Sequence, residues 1–477
     1  MNTKSTAIRS PRFMALARAL GNLVADAMSG RAHDYTVGSI GRAVVLLAIP
    51  MVLEMSMESV FVVVDTFFVA RLGAEAVTAL GLTEAVLTLL YATALGLGAG
   101  ATALVARRVG EHDLSGARTA AVQTIWVGVV LAAVIGVLGA SNAEPLLVFM
   151  GAGAGVVEDG SRYTAVMLGG SATILLIFLL NAVFRGAGNA VVAMRALWIA
   201  NAVNIALDPC LIFGLGPFPE LGVTGAAVAT NIGRGIGVLY QLYCLSGPET
   251  RIAIGLRDLR LRLKVMLRLL RVSVPGVFQY TVAMSSYLFL MRIVATYGST
   301  AVAGFTIGIR IFAFTFLPAW GLANAAATLV GQNLGAGEPE RAEASAWIAA
   351  RYNAAFLGSV ALLCIVAPRP LVSIFTGDPA VIAYGVDCLR FLSYGYGFYA
   401  VGMVLTQAFN GAGDTDTPTW INLICFWLLQ IPLAYVLAVA LGYGPRGVYV
   451  TIALADTLVA VIAFVMFRRG RWKLRAL

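Results

Sequence analysis

Long apolar runs, broken at intervals by clusters of glycine, proline and charge, are the dominant pattern along this chain. Runs of about 20 residues or more fall at 44–70, 76–105, 120–140, 161–180, 190–213, 223–246, 273–296, 301–330, 344–366, 384–409, 418–440 and 448–467. A hydrocarbon core of ~30 Å is crossed by about 20 helical residues. The pattern therefore predicts an all-α integral membrane protein with twelve transmembrane helices.

The pattern is written twice. Sliding the chain by 225 residues places Pro50 on Pro275, Gly73 on Gly298, Gly110 on Gly335 and Gly222 on Gly447. The same shift lays "VFRGAGN" (183–189) on "AFNGAGD" (408–414) without a gap. Six spans is an even number, so both halves share one orientation and form two pseudo-symmetric bundles around a cleft. The expected organisation is an N-terminal arm at 1–42, a first six-helix bundle at 43–246, a basic linker at 247–272, a second bundle at 273–467 and a basic tail at 468–477. Rocking one bundle against the other would open the cleft to alternate sides, as in a transporter.

Composition supports the membrane reading. The 477 residues are 60% hydrophobic and 12% charged, against roughly 45–50% and 25% in soluble chains. The net charge of +9 reads as a topology signal and not as a nucleic-acid footprint. Basic residues gather in the arm, at 106–118, in the linker and at 469–475, whereas 141–145 and 214–222 are poor in them. Both termini are thus expected in the cytoplasm, with the protein multi-pass in the plasma membrane. Within the arm, Phe13, Leu16, Leu20, Leu23 and Val24 have helical spacing between arginines, which fits a surface amphipathic helix and a disordered tail equally well. Lys4 and Arg9 add to its charge. The scattered cysteines 210, 244, 364, 388 and 425 predict neither a disulfide framework nor a zinc site. No phosphate-binding, zincin or nucleophile-elbow motif occurs, and no cofactor or enzymatic activity is expected.

Ionisable residues inside spans are expensive and mark function by default. The first half carries Glu54, Glu58, Asp65, Glu84 and Asp208, and their shifted positions are Gln279, Ala283, Leu290, Ile309 and Leu433. The acids therefore belong to one bundle. Asp65 lies six residues from Arg71, and Asp208 six from Gly214, ~9 Å in each case. Asn204 is one turn from Asp208, and Thr230 is eight residues, ~12 Å, past Gly222. Two carboxylates, an amide and a hydroxyl in one layer are hard ligands suited to Na⁺, and a close carboxylate pair also makes a proton site. Glu54, Glu58 and Asp65 share a helix face; with Glu84 and Gln279 they are candidates for the cleft wall or a proton relay, while Glu54, Glu58 and Glu84 serve equally as packing ion pairs. In the second half, Arg292 with Asp456, and Asp387 with Arg390, are expected to form structural pairs. No partner for Arg234 is legible in the sequence.

Taken together, "AIPMVLEMSMESVFVVVDTFFVARLG" (48–73), "NIALDP" (204–209), "GVTGAAVAT" (222–230) and "FRGAGN" (184–189) with its repeat "FNGAGDTDTP" (409–418) resemble the multidrug and toxic compound extrusion (MATE) family over about 40–467. The likeness is to its DinF-like bacterial branch. That resemblance implies a secondary transporter working as a monomer in the bilayer, which expels small amphipathic, often cationic molecules in exchange for H⁺ or Na⁺. It implies a cation site in the N-terminal bundle, with the family's first-span aspartate falling on Asp65, its Asn-x-x-x-Asp-Pro on Asn204 and Asp208, and its sixth-span threonine on Thr230. A lipid-linked precursor flippase of related architecture is the alternative; it would want a basic cleft, for which Arg292, Arg310 and Arg390 are the candidates.

Overall fold

The computed structural model describes residues 11–31, 33–247 and 250–477, and every regular element among them is helical. Lys4, Arg9 and the rest of 1–10 lie outside the described residues, as does Glu249 of the linker. The helices of the first half are α1 (Pro11–Met28), α2 (Ile40–Val69), α3 (Ala74–Gly110), α4 (Leu114–Ser141), α5 (Ala143–Phe149), α6 (Ala154–Gly169), α7 (Ser171–Gly186), α8 (Ala190–Phe213) and α9 (Val223–Ser246). The second half holds α10 (Leu263–Ala295), α11 (Ser299–Gly335), α12 (Pro339–Val366), α13 (Pro368–Ser373), α14 (Pro379–Gly411), α15 (Asp416–Asn422), α16 (Ile431–Tyr435) and α17 (Pro445–Arg468).

The repeat is explicit in the backbone. Helices α3 and α11 both have 37 residues, and each follows a glycine of positive φ, Gly73 at 110° and Gly298 at 95°. Helices α4 and α12 both have 28 residues, and α9 and α17 both have 24. The halves differ in two places. Helix α14 is continuous, whereas its counterpart is broken into α6 and α7 with a 41° bend at Gly170. In the second half, π-helical turns at Leu423–Gln430 and Val436–Ala440 flank α16, where Pro432 offers no amide hydrogen to the ladder.

Among the described residues, nine helices, or ten segments with the bent α6–α7 pair, are long and apolar enough to span a membrane. The two expected spans outside that set are α9 and α14, which are long enough but carry Asn231, Arg234 and Gln241, and Asp387, Arg390, Gln407 and Asn410. Helix α10 starts at Leu263, so the last part of the expected linker is helical. The first part of the linker docks on α4: Gln123 donates to the Arg260 carbonyl at 3.0 Å and accepts from the Arg262 amide at 3.0 Å.

The halves meet along glycines. A Cβ on Gly96 would overlap the Val277 backbone, one on Gly100 the side chain of Ser273, one on Gly110 the Gln332 carbonyl, and one on Gly321 the Met51 carbonyl. Such close approach is available only without a side chain. These contacts lie toward the end of the molecule that carries the termini. The same end is laced by both terminal segments. Arg341 of α12 donates to the carbonyls of Gly38 (2.9 Å) and Val37 (3.0 Å) in the arm. Arg107 of α3 donates to the carbonyls of Arg475 (3.1 Å) and Ala412 (3.3 Å). Trp472 is fully buried, stacked 4.5 Å from Phe467, and Lys473 pairs with Glu343 at 2.6 Å. The basic tail is thus a packed element. In the arm, α1 exposes Val24 and packs Leu23 against the core shared by α2 and the second-half helices; the side chains of Phe13, Leu16 and Leu20 are outside the described ones.

Candidate functional site

Helices α8 and α9 cross closely because Gly233 lies against the Ala200 carbonyl and Asn204. This brings Thr230, one turn earlier on α9, to Asn204. The Asn204 amide donates to Thr230 Oγ1 and to Asp208 Oδ1, both at 3.1 Å, and all three residues are buried. Pro209 follows Asp208 and has no N–H, so the Ile205 carbonyl loses its helical donor beside this group. Asp65, on the far third of α2, is half-buried and acts on Asp208 through space. Asp65 Oδ1, Asn204 Oδ1 and Asp208 Oδ2 are buried with no hydrogen-bond partner among the described residues. Buried acceptors are normally paired. Unpaired oxygens from two carboxylates and an amide, with a hydroxyl beside them, form a donor set that fits a hard monovalent cation or a proton.

The other first-half acids have different surroundings. Glu54 is fully buried; its Oε1 takes hydrogen bonds from Arg185 at 2.8 Å and Asn181 at 2.9 Å, and Gln241 in turn donates to Asn181. That is a packing network across α2, α7 and α9. Glu58 lies 3.8 Å from Arg234, which also donates to the Tyr91 hydroxyl at 3.2 Å and sits 5.4 Å from the Phe61 ring. Arg234 is buried, and it also feels Asp65 and Glu84 electrostatically. It is the counter-charge shared by the acidic layer. Glu84 itself is exposed, although its field reaches Arg234. Gln279 is buried on α10, its side-chain oxygen without a partner among the described residues.

Sequence reasoning missed Arg185 and left Arg234 without a partner. The 225-residue shift carried the signal, since their counterparts are Asn410 and Val459: both cations, like the acids, belong to one half only. Two expected pairs are corrected. Asp387 bonds Arg446 at 2.7 Å and not Arg390, because the start of α17 offers a guanidinium across the helix interface. Asp456 is buried with no ion pair among the described residues, and Arg292 is exposed.

Where the halves meet, a cavity of about 30 Å³ is lined by Thr102, Phe178 and Arg185 from the first half and by Tyr280, Trp320 and Gln407 from the second, among others.

A sequence model of the MatE family matches residues 50–210 and again 275–436, one match per half. The chain is 27% identical over 92% of its length to a probable multidrug resistance protein NorM of Thermotoga maritima, covering 95% of that protein. It is 25% identical to an FAD transporter of Shewanella oneidensis, over 92% of this chain and 96% of that one. Its fold matches the outward-facing conformation of a multidrug resistance MATE family transporter of the MOP superfamily with a TM-score of 0.86 and 28% identity, over 92% of this chain and 98% of the other. With both repeats matched in turn and the whole fold shared, this chain belongs to the MatE family of multi-pass membrane transport proteins.

Proposed function

We propose that the protein is a secondary active multidrug efflux transporter that exchanges amphipathic, often cationic compounds for H⁺ or Na⁺ by alternating access. The observation that carries this reading is the buried group Asn204–Asp208–Thr230, on which Asp65 acts through space: Asp65 Oδ1, Asn204 Oδ1 and Asp208 Oδ2 have no donor among the described residues. A coupling cation held there would be bound by Asp65, Asn204, Asp208 and Thr230. The multidrug names of the relatives support the substrate class. In this reading α9 and α14 complete twelve spans, both termini are cytoplasmic in the plasma membrane as the basic segments indicate, and the monomer is the working unit. The glycine contacts then close the cytoplasmic end, and ion release permits rocking about them.

The flippase alternative requires a basic cleft. Among the residues lining the cavity between the halves, Arg185 is the one cation, and Glu54 neutralises it at 2.8 Å.

The test is transport of a cationic dye in proteoliposomes under an imposed ΔpH or ΔpNa. Asp65→Asn and Asp208→Asn are expected to abolish ion-driven efflux while the protein remains inserted, and Gln279→Ala to matter less than either. Full efflux in both aspartate variants would sink the assignment.

A further inference from the structure

The two halves treat one helix pair differently. In the first half, Asn231 of α9 staples the α6–α7 bend: it donates to the Val166 carbonyl at 2.9 Å and accepts from the Thr173 hydroxyl at 2.9 Å. The 225-residue shift turns Asn231 into Asp456, Val166 into Phe391 and Thr173 into Phe398. In the second half Asp456 has no amide N–H to give the Phe391 carbonyl, and Phe398 brings no hydroxyl. Asp456 therefore keeps the position of Asn231 and loses both of its partners. It is 9% exposed and takes part in no hydrogen bond or ion pair among the described residues.

Its position is fixed by packing. Helices α14 and α17 run in the same direction and touch where Gly395 meets Ala453 and Gly402 meets Ala460. Asp456 falls between those two contacts, level with Tyr396 and Tyr399, and its field reaches both rings. Its field also reaches Cys425. Asp456 is eleven residues from Pro445, the start of the 24-residue α17, ~16 Å along the axis and near mid-membrane.

The tyrosines open onto a row of aromatic rings. Tyr399 lies 6.1 Å from Phe316, Phe316 5.4 Å from Trp320, and Trp320 5.8 Å from Tyr280; the last two line the cavity between the halves. Phe312 braces the other end, 5.6 Å from both Tyr396 and Tyr399. The Tyr396 hydroxyl is buried. Phe316 is the counterpart of Tyr91, which in the first half bonds Arg234. The second half supplies no such cation, since position 459 is valine.

A buried carboxylate without a counter-charge is an incomplete ion pair. Here the groups its field reaches are two tyrosines that begin a row of aromatic rings. An inorganic cation wants several oxygens, whereas aromatic faces favour a large, weakly hydrated organic cation. We propose that Asp456, at the head of the row Trp320–Phe316–Tyr399, is the docking point for the positive charge of an organic cation carried by the second half. The assignment rests on the efflux reading above and adds a substrate site separate from the coupling-cation layer of the first half.

The experiment is equilibrium binding of tetraphenylphosphonium to the full-length protein in detergent, with no ion gradient, and with neutral triphenylphosphine oxide as comparator. Asp456→Asn, which installs the first-half residue, is expected to weaken tetraphenylphosphonium binding by about tenfold or more and to leave the neutral compound unaffected. Phe316→Leu is expected to weaken both, and it stands in if Asp456→Asn does not yield folded protein. Asp456→Glu should restore part of the loss. Unchanged tetraphenylphosphonium affinity in Asp456→Asn, or a change confined to the pH dependence of transport, overturns the proposal alone. Absence of saturable binding to the unaltered protein overturns the cationic-substrate reading and the proposal with it.

Discussion

Replacing Arg185 by methionine removes the cation from a carboxylate that is entirely enclosed. Glu54 Oε1 lies 2.8 Å from that guanidinium and 2.9 Å from the Asn181 amide, and its Oε2 has no partner among the described residues. At an effective dielectric of about 20, unit charges at the observed 2.8 Å separation attract by ~6 kcal/mol. Much of that attraction offsets the desolvation of the two ions, so the pair adds little net stability over an apolar replacement. Taking away one partner leaves the desolvation uncompensated, and Arg185→Met is expected to lose about 3–5 kcal/mol. The double variant Glu54→Leu, Arg185→Met removes both charges at similar volume and should recover most of that loss. The assay is reversible SDS unfolding of the protein in bicelles, followed by tryptophan fluorescence. A double variant as unstable as Arg185→Met, or a single variant within about 1 kcal/mol of the unaltered protein, refutes the reasoning.

Gly96→Leu drives a side chain into the Val277 backbone, so this end of the cleft cannot close; dye efflux is expected to fall at least about tenfold while surface expression is kept. Trp472→Ala removes a fully buried ring stacked on Phe467 whose Nε1 donates to the Phe467 carbonyl at 2.9 Å. A loss of about 3–5 kcal/mol in the same SDS titration is expected.

The periodic signals were legible and the cross-chain ones were not. Apolar runs place α8 and α9 to the residue, because their ends are marked by Gly188–Asn189, Gly214, Gly222 and Gly247. The acid layer was legible through a shift of the chain against itself, a comparison that needs no structure. The pairing of Glu54 with Arg185 was not, since it joins residues 131 apart and depends on how α2 and α7 pack. The Asp387–Arg390 expectation failed for the same reason: a local i,i+3 spacing lost to a tertiary partner, Arg446, 59 residues away. The bend at Gly170 sits inside a run that reads as one span, and the apolar pattern does not mark where it falls. The helical start of α10 at Leu263 was hidden because its first turns carry Lys264, Arg268 and Arg271, which hydropathy scores as loop.

The two terminal segments are fastened crosswise: the arm before the first half is gripped by Arg341 of the second, and the tail after the second half is gripped by Arg107 of the first. Each half therefore holds the other's loose end, like a knot tied from both strings. Leu477, packed over Gly413 and beside the first-half core, belongs to the same fastening. A bulky side chain placed at Gly413 would press on that leucine and load the fastening between the halves, far from the cation layer.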